Sequence, residues 1–399
     1  MKKTKRILPA LATAGVLVLS LQGRGDECSA LFIRAPARGL LSTVLSRRLP
    51  IVAAHGKNEN RAPEHTWLNL KNSIADGAEI LEIDVQLTLD GHFLLAHDPT
   101  LHRIVKDYKT APLKIEAFVR EFPELVGQKR SDWDFYLFDR ISSLTREEIK
   151  SQHMLYDAKR NTFFEFVTLD EILFATDVPK MFRMPRFYFG MNRSSLVQHP
   201  EWHMRLESTP IFYLDLKDLN GLSRRLWNLR SWDWQKNAKS YEELEAEARA
   251  VITRLADHLE RHQAFDRIFI PVRHPFIAKL VREIEPRIAI MMSTEVSPEA
   301  SASELIDKFN QYLPFKPELA EIKYLGHLKN ESLRSMLRTN NIKVFFDQLM
   351  ETDPSQFQGV YRGDLRRLLY DVIADGPDII IQSNTPKEVI EFTRGLSKR

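Results

Sequence analysis

The chain is poor in the features that would send its 399 residues toward several common classes. It has one cysteine, Cys28, which excludes an internal disulfide framework and a zinc site built on thiolates. Its 15 glycines carry no repeat, so it is neither collagen-like nor a low-complexity chain. It lacks a charge excess: 57 basic residues against 54 acidic ones leave a formal +3, too balanced for a protein that lives on the phosphate backbone of nucleic acid. After residue 50 it has no long apolar run. Any metal must therefore be held by carboxylates and histidines.

The N-terminus has its own character. Lys2, Lys3, Lys5 and Arg6 precede an apolar run from Ile7 to Leu21, the pattern of a secretory signal or membrane anchor and short for a spanning helix. Leu21-Gln22-Gly23 is a poor cleavage site, and Gly25-Asp26-Glu27 before Cys28 is a poor lipidation context. We expect residues 1–23 to be a signal or anchor, 24–49 a linker, and 50–399 a single catalytic domain. An exported or membrane-tethered protein follows, associated with the membrane surface through this N-terminus if the segment is retained.

From residue 51 short apolar runs alternate with helical patterns. Candidate strands are Ile51–Ala54, Ile80–Val85, Ile211–Leu216, Arg267–Ile270, Ile288–Met292, Glu321–Tyr324, Lys343–Phe346 and Ile379–Ile381. Eight such runs separated by helices predict a (β/α)8 barrel of the TIM type. Asp90-Gly91 before Phe93–Ala96 is a hairpin signal, so the second strand is expected to fold back on itself. Two stretches, 106–140 and 180–210, are too long for plain connections and are expected as insertions capping the barrel mouth. Glu242–Arg261 keeps leucines and valines at helical spacing and belongs to packing. Trp227, Trp232 and Trp234 stand among arginines, as a rim cap or a lipid-facing patch.

The chemistry concentrates between Ile51 and Asp98. His55 ends the first strand, and barrel active sites gather at strand C-termini. Glu82 and Asp84 are two apart and share one strand face, while Leu81, Ile83 and Val85 fill the other. Two adjacent inward carboxylates repel each other unless a cation lies between them; a solvated strand edge is the other reading of the same pattern. His97-Asp98 closes the hairpin beside this pair, a position for an acid/base partner. Asp215 and Lys217 alternate out of a third apolar strand, either to pair with each other or to complete the site. Three carboxylates of this kind form an oxygen cage for calcium or magnesium. Arg273-His274 follow the fourth strand and could reach the site, and Lys323 falls on a late strand as a candidate phosphate contact, but for each an ordinary exposed position is the favoured reading.

Read together, the blocks His55-Gly56, Pro63-Glu64-His65-Thr66, Glu82-Ile83-Asp84-Val85, Thr88-Leu89-Asp90-Gly91 and His97-Asp98 resemble the glycerophosphodiester phosphodiesterase family in order and spacing. Weaker echoes extend over about 51–393, including Ile141–Ile149, Val167–Leu173, Asp215-Leu216-Lys217 and Gly376–Pro386. The resemblance implies metal-dependent hydrolysis of a glycerophosphodiester, a small molecule, to an alcohol and glycerol phosphate. It implies one divalent cation, Ca2+ or Mg2+, on Glu82, Asp84 and Asp215; His55 and His97 as acid/base pair; and Lys217 on the phosphate. Glu64 stands either beside or on the cation, or supports the start of the first helix. Three departures line the substrate side. The family's arginine after the first histidine is missing, with Lys57 or Arg61 as candidates for the lost charge. Asp215 replaces a glutamate, and Phe345-Phe346-Asp347-Gln348 replaces a tryptophan, threonine and asparagine pattern. The missing arginine is also a feature of the similar venom-type phospholipase D branch, which implies lysolipid or sphingolipid substrates as an alternative; a non-catalytic phospho-ligand-binding barrel is the third reading. Oligomeric state is left open.

Overall fold

The computed structural model describes residues 41, 51–56, 63–101, 140–152, 155–157, 162–176, 210–228, 240–294, 300–323, 325–346, 379–384, 386–387 and 389–391. The apolar run at 7–21, Lys57, Arg61, Trp232, Trp234, Asp347, Gln348 and nearly all of both expected insertions lie outside these residues.

Eight of the described strands form a closed parallel barrel: β1 (Ile51–Ala54), β2 (Ile80–Leu87), β6 (Ile211–Leu216), β7 (Ile268–Val272), β8 (Ala289–Met292), β9 (Leu319–Ile322), β10 (Lys343–Phe346) and β11 (Ile379–Ser383). The order runs β1-β11-β10-β9-β8-β7-β6-β2, and pairing of β1 with β2 closes the ring. All eight expected strands are present, three with the expected bounds and five with different ones, of which two are shifted at both ends. Glu321–Tyr324 is corrected to Leu319–Ile322, because the backbone at 318 already joins the ladder: Glu318 N–H donates to Ile290 O at 3.0 Å. Arg267–Ile270 becomes Ile268–Val272, since Arg267 closes a 3-10 turn and turns its guanidinium to Thr176 Oγ1 and Leu173 O.

Strand β2 overshoots the barrel and returns as β3 (Phe93–Leu95), antiparallel to it, with Val85 opposite Leu95. Gly91 makes the turn at φ +81°, a left-handed conformation that glycine reaches without β-carbon strain. A second hairpin, β4 (Leu155–Asp157) with β5 (Thr162–Phe164), stands apart from the barrel sheet.

Strand burial follows period two. Ile51, Ala53, Ile80, Ile211, Tyr213, Phe269, Ala289, Met291, Leu319, Phe345 and Ile380 pack together inside the barrel, joined by Leu41. Their neighbours in sequence, among them Val52, Ile83, Leu214, Ile270, Ile290 and Val344, pack outward against the helices. Both faces are dry, which is why the strands read as continuous apolar runs. The helix Tyr241–His262 buries Leu244, Ala248, Val251, Ile252, Leu255 and Leu259 on one face, the packing role its spacing predicts. This alternation fixes what enters the barrel mouth. Continuing the inward parity past each apolar layer gives His55, Glu82 and Asp84, Asp215, Arg273, Ser293, Glu321, and Gln382 with Asn384.

Candidate active site

Asp84 and Asp215 are register partners in the parallel β2–β6 ladder, and Glu82 lies one inward step below Asp84. Neighbouring strands are about 4.8 Å apart, so register alone puts the two carboxylates together. Glu82, Asp84 and Asp215 each offer an oxygen, and these oxygens lie within 4.8 Å of one another in a buried cluster. All three side chains are nearly out of contact with solvent.

What surrounds them is equally specific. Lys217 opens the helix Lys217–Asn228 directly after β6, and its Nζ contacts Asp215 Oδ2 at 2.5 Å and also Asp84. The pairing of Asp215 with Lys217 is thus real, and it is shared with Asp84. Burial opposes the ammonium, but Asp215, Asp84 and Glu82 outweigh it and hold Lys217 above its ordinary value. Asp84 is likewise held well below the carboxylate range: burial pushes the other way, and the hydrogen bond and charge of His65 with the charge of Lys217 override it. Glu82 goes the opposite way, pushed up to about 7 by burial first and by the like charge of Asp84 second. A buried acid with its proton affinity raised by a second acid is the signature of a cluster short of positive charge. The oxygen-only donor set, its spacing and this shortage fit a hard divalent cation.

Two imidazoles flank the cluster. His55 follows β1, anchored through its backbone N–H to Ser383 O at 3.0 Å. Its Nδ1 lies 2.8 Å from Asn384 Oδ1, an acceptor, so Nδ1 carries the proton and Nε2 faces Glu82 Oε2 at 3.9 Å. His97 follows β3, where Ala96 N–H donates to Asp84 O at 3.0 Å and Gln86 Nε2 donates to His97 O at 3.0 Å. Its Nδ1 lies 2.7 Å from Asp98 Oδ1. Both rings are therefore tethered through Nδ1 to an oxygen, which fixes their orientation and leaves Nε2 as the working nitrogen.

The Pro63–Thr66 block has a structural logic of its own. Thr66 caps the helix Trp67–Ala75 by accepting from Asn69 N–H at 3.2 Å and donates to Pro63 O at 2.9 Å. His65, just before the cap, is left-handed at φ 56°, and this turns its ring inward. Its buried Nε2 donates to Asp84 Oδ2 at 2.8 Å. Burial would lower the affinity of this ring for a second proton, yet the hydrogen bond to Asp84 and the charges of Asp84, Glu64 and Glu82 raise it. Glu64 is also buried and lies close enough to His65 to act on it.

Sequence reading united His55, Glu82, Asp84, His97, Asp215 and Lys217, and the structure brings the carboxylates, Lys217 and His55 into direct contact. It passed over Asn384 and the ring of His65. One expectation is corrected: Arg273 is not an exposed loop residue. Its side chain is 17% exposed and Nη2 lies 3.6 Å from Asp215 Oδ2. His274 is a helix cap, with Nδ1 accepting from Phe276 N–H at 3.1 Å. The signal for Arg273 was available in its parity with Phe269, four residues earlier on an inward strand position.

Comparison with known proteins adds the lineage. The profile of the Glycerophosphoryl diester phosphodiesterase family matches residues 55–358. A Glycerophosphodiester phosphodiesterase of Caldanaerobacter subterraneus subsp. tengcongensis is 30% identical over 177 residues, 39% of this chain and 71% of that protein. A Lysophospholipase D of Mus musculus is 40% identical over 87 residues, 22% of this chain and 26% of the relative. Among solved structures, a Glycerophosphoryl diester phosphodiesterase from Parabacteroides distasonis has a TM-score of 0.47 at 17% identity, covering 88% of each chain. With a match over most of its length, the chain belongs to the glycerophosphoryl diester phosphodiesterase family, enzymes that hydrolyse phosphoric diesters.

Proposed function

We propose that this enzyme hydrolyses glycerophosphodiesters to an alcohol and glycerol phosphate, with Glu82, Asp84 and Asp215 holding one divalent cation and His55 and His97 sharing the proton transfers. The observation that carries the reading is the carboxylate cluster on β2 and β6 standing beside two Nδ1-tethered imidazoles. The oxygen donors favour calcium or magnesium over softer metals. Bound there, the cation neutralises charge on the phosphate oxygens as it builds.

The chain's own groups do the rest. A phosphodiester is already anionic and repels a nucleophile, so positive charge must face it; Lys217 supplies an ammonium at the cluster. One imidazole takes a proton through Nε2 from the attacking oxygen as that oxygen bonds to phosphorus. The other gives a proton to the departing alcohol as its P–O bond breaks, leaving glycerol phosphate. Asn384 and Asp98 keep each ring from rotating out of line. The basic and apolar N-terminal sequence supports action outside the cytoplasm, at the membrane or beyond it.

The test is direct. The chain is assayed with glycerophosphocholine and glycerophosphoethanolamine in calcium, magnesium or chelator, beside His55→Ala and Glu82→Ala. The expected result is metal-dependent release of glycerol phosphate that both variants lose. The likeness to the mouse lysophospholipase D supports a second reading, in which the glycerol side carries an acyl chain and cleavage leaves an acylated glycerol phosphate and the free alcohol. Lysolipid cleavage without glycerophosphocholine cleavage would establish that reading, and silence on both would leave a phospho-ligand-binding barrel.

A further inference from the structure

The order β1-β2-β6-β7 puts the acidic cluster on the two middle strands. One flank of the mouth is Gly56, after β1; the other is Arg273, directly after β7. On the first flank, position 56 itself is closed to any side chain. A β-carbon on Gly56 would come closer to the His65 ring than real β-carbons approach other atoms, and would also press on Glu82 Oε2. His65 cannot step aside cheaply, since its ring is buried and bonded to Asp84. The Gly56 N–H is itself bonded to Glu82 Oε2 at 2.6 Å. Position 56 contributes backbone to the carboxylate cage and nothing to an anion.

The opposite flank carries a guanidinium. Arg273 keeps the inward parity of Phe269 and Pro271. His274 and Pro275 start the helix Pro275–Ile284 immediately after it, which fixes the backbone from which Arg273 reaches into the mouth. Its Nη2 lies 3.6 Å from Asp215 Oδ2, which places the guanidinium beside the cluster. Lys217 is shared between Asp84 and Asp215.

We propose that Arg273 recognises the substrate phosphate, its planar guanidinium holding the non-bridging oxygens from the β7 side. This rests on the phosphodiesterase reading above. A planar fork matches two phosphate oxygens in a way an ammonium cannot. Arg273 thus sets where the phosphate lies across the cluster and which side of it the alcohol occupies.

The experiment uses the full chain with calcium and compares wild type with Arg273→Ala, Arg273→Lys and the double variant Lys57→Ala/Arg61→Ala. Affinity for inorganic phosphate and for glycerol 3-phosphate is measured by calorimetry. KM and kcat for glycerophosphocholine, and the rise in Tm on adding calcium, are measured beside it. The expected result for Arg273→Ala is phosphate binding weakened by about 10- to 100-fold, the worth of one charge-assisted contact. KM rises with it, the calcium-induced Tm rise is kept, and part of the affinity returns with added guanidinium ion. Arg273→Lys recovers less than half of the lost affinity, and Lys57→Ala/Arg61→Ala stays near wild type. Wild-type phosphate affinity in Arg273→Ala, or its loss in the double variant instead, would overturn the proposal. So would a joint loss of phosphate and calcium binding, which would make Arg273 only a prop for Asp215. A wild type that releases no glycerol phosphate would sink the underlying phosphodiesterase reading, and is told apart by being seen before any variant is made.

Discussion

Asp84 and Asp215 face each other across the β2–β6 ladder, and the ammonium of Lys217 joins them. In this arrangement part of the positive charge that the carboxylates require comes from within the chain. A divalent cation held as proposed would act on the same two carboxylates as Lys217.

Replacing Lys217 with methionine leaves those carboxylates facing each other in a buried site. In chelator the variant should lose about 3–5 kcal/mol, the cost of breaking a buried pair by removing one partner. Calcium should restore more of its Tm than it adds to wild type, because it supplies the missing charge. Equal calcium-induced shifts in the two proteins would show that Lys217 and the cation do not compete for these groups.

Glu82 makes the site pH-sensitive. Its carboxyl is raised to about 7 when folded, above the 4.5 of an unperturbed group, so the folded state binds the proton more tightly than the unfolded one. The contribution is present below the unfolded value and is lost as pH rises from about 4.5 through about 7, on the order of 3 kcal/mol in all. In chelator, Glu82→Gln should flatten the fall in stability across that window. Calcium binding, which needs the carboxylate, should release a proton near pH 6 in wild type and not in the variant.

His65 combines a backbone cost with a buried contact. Asparagine tolerates the left-handed region better than alanine does, and it offers an amide to Asp84. His65→Asn should therefore be less destabilised than His65→Ala by about 1 kcal/mol in urea unfolding. The order would reverse if the residue were merely a space-filler.

Away from the mouth, Asp170 accepts from His258 Nδ1 at 2.8 Å and His262 Nε2 at 2.9 Å. Burial opposes its ionisation, but these two bonds and the charges of His258 and Arg261 hold it far below the carboxylate range. A depressed value means stability that is present above the unfolded value, about 3.9, and lost as pH falls below it. Asp170→Asn should cost about 1–2 kcal/mol at neutral pH, allowing for partial exposure, and progressively less as pH falls below about 3.9. A difference independent of pH would show that the amide fails for geometric reasons rather than electrostatic ones.

The sequence by itself determined the barrel. Strands buried on both faces leave runs such as Ile268–Val272, and the distance between runs requires crossover helices. It also determined the local chemistry, since residues two apart on a strand share a face whatever surrounds them, which made Glu82 with Asp84 legible. Tertiary structure decided everything that depends on register and on contacts distant in sequence. Only the β2–β6 ladder puts Asp215 opposite Asp84, 131 residues earlier. Closure of the barrel brings Asn384 to His55 across 329 residues, and no periodicity announces that hydrogen bond. The fate of Arg273 turned on where β7 ends, because a shift of one residue would turn its side chain from the mouth to the outer helices. Residue types and local periodicity belong to the sequence, but an active site is a set of side chains from several strands, and only the closed sheet brings them to one place.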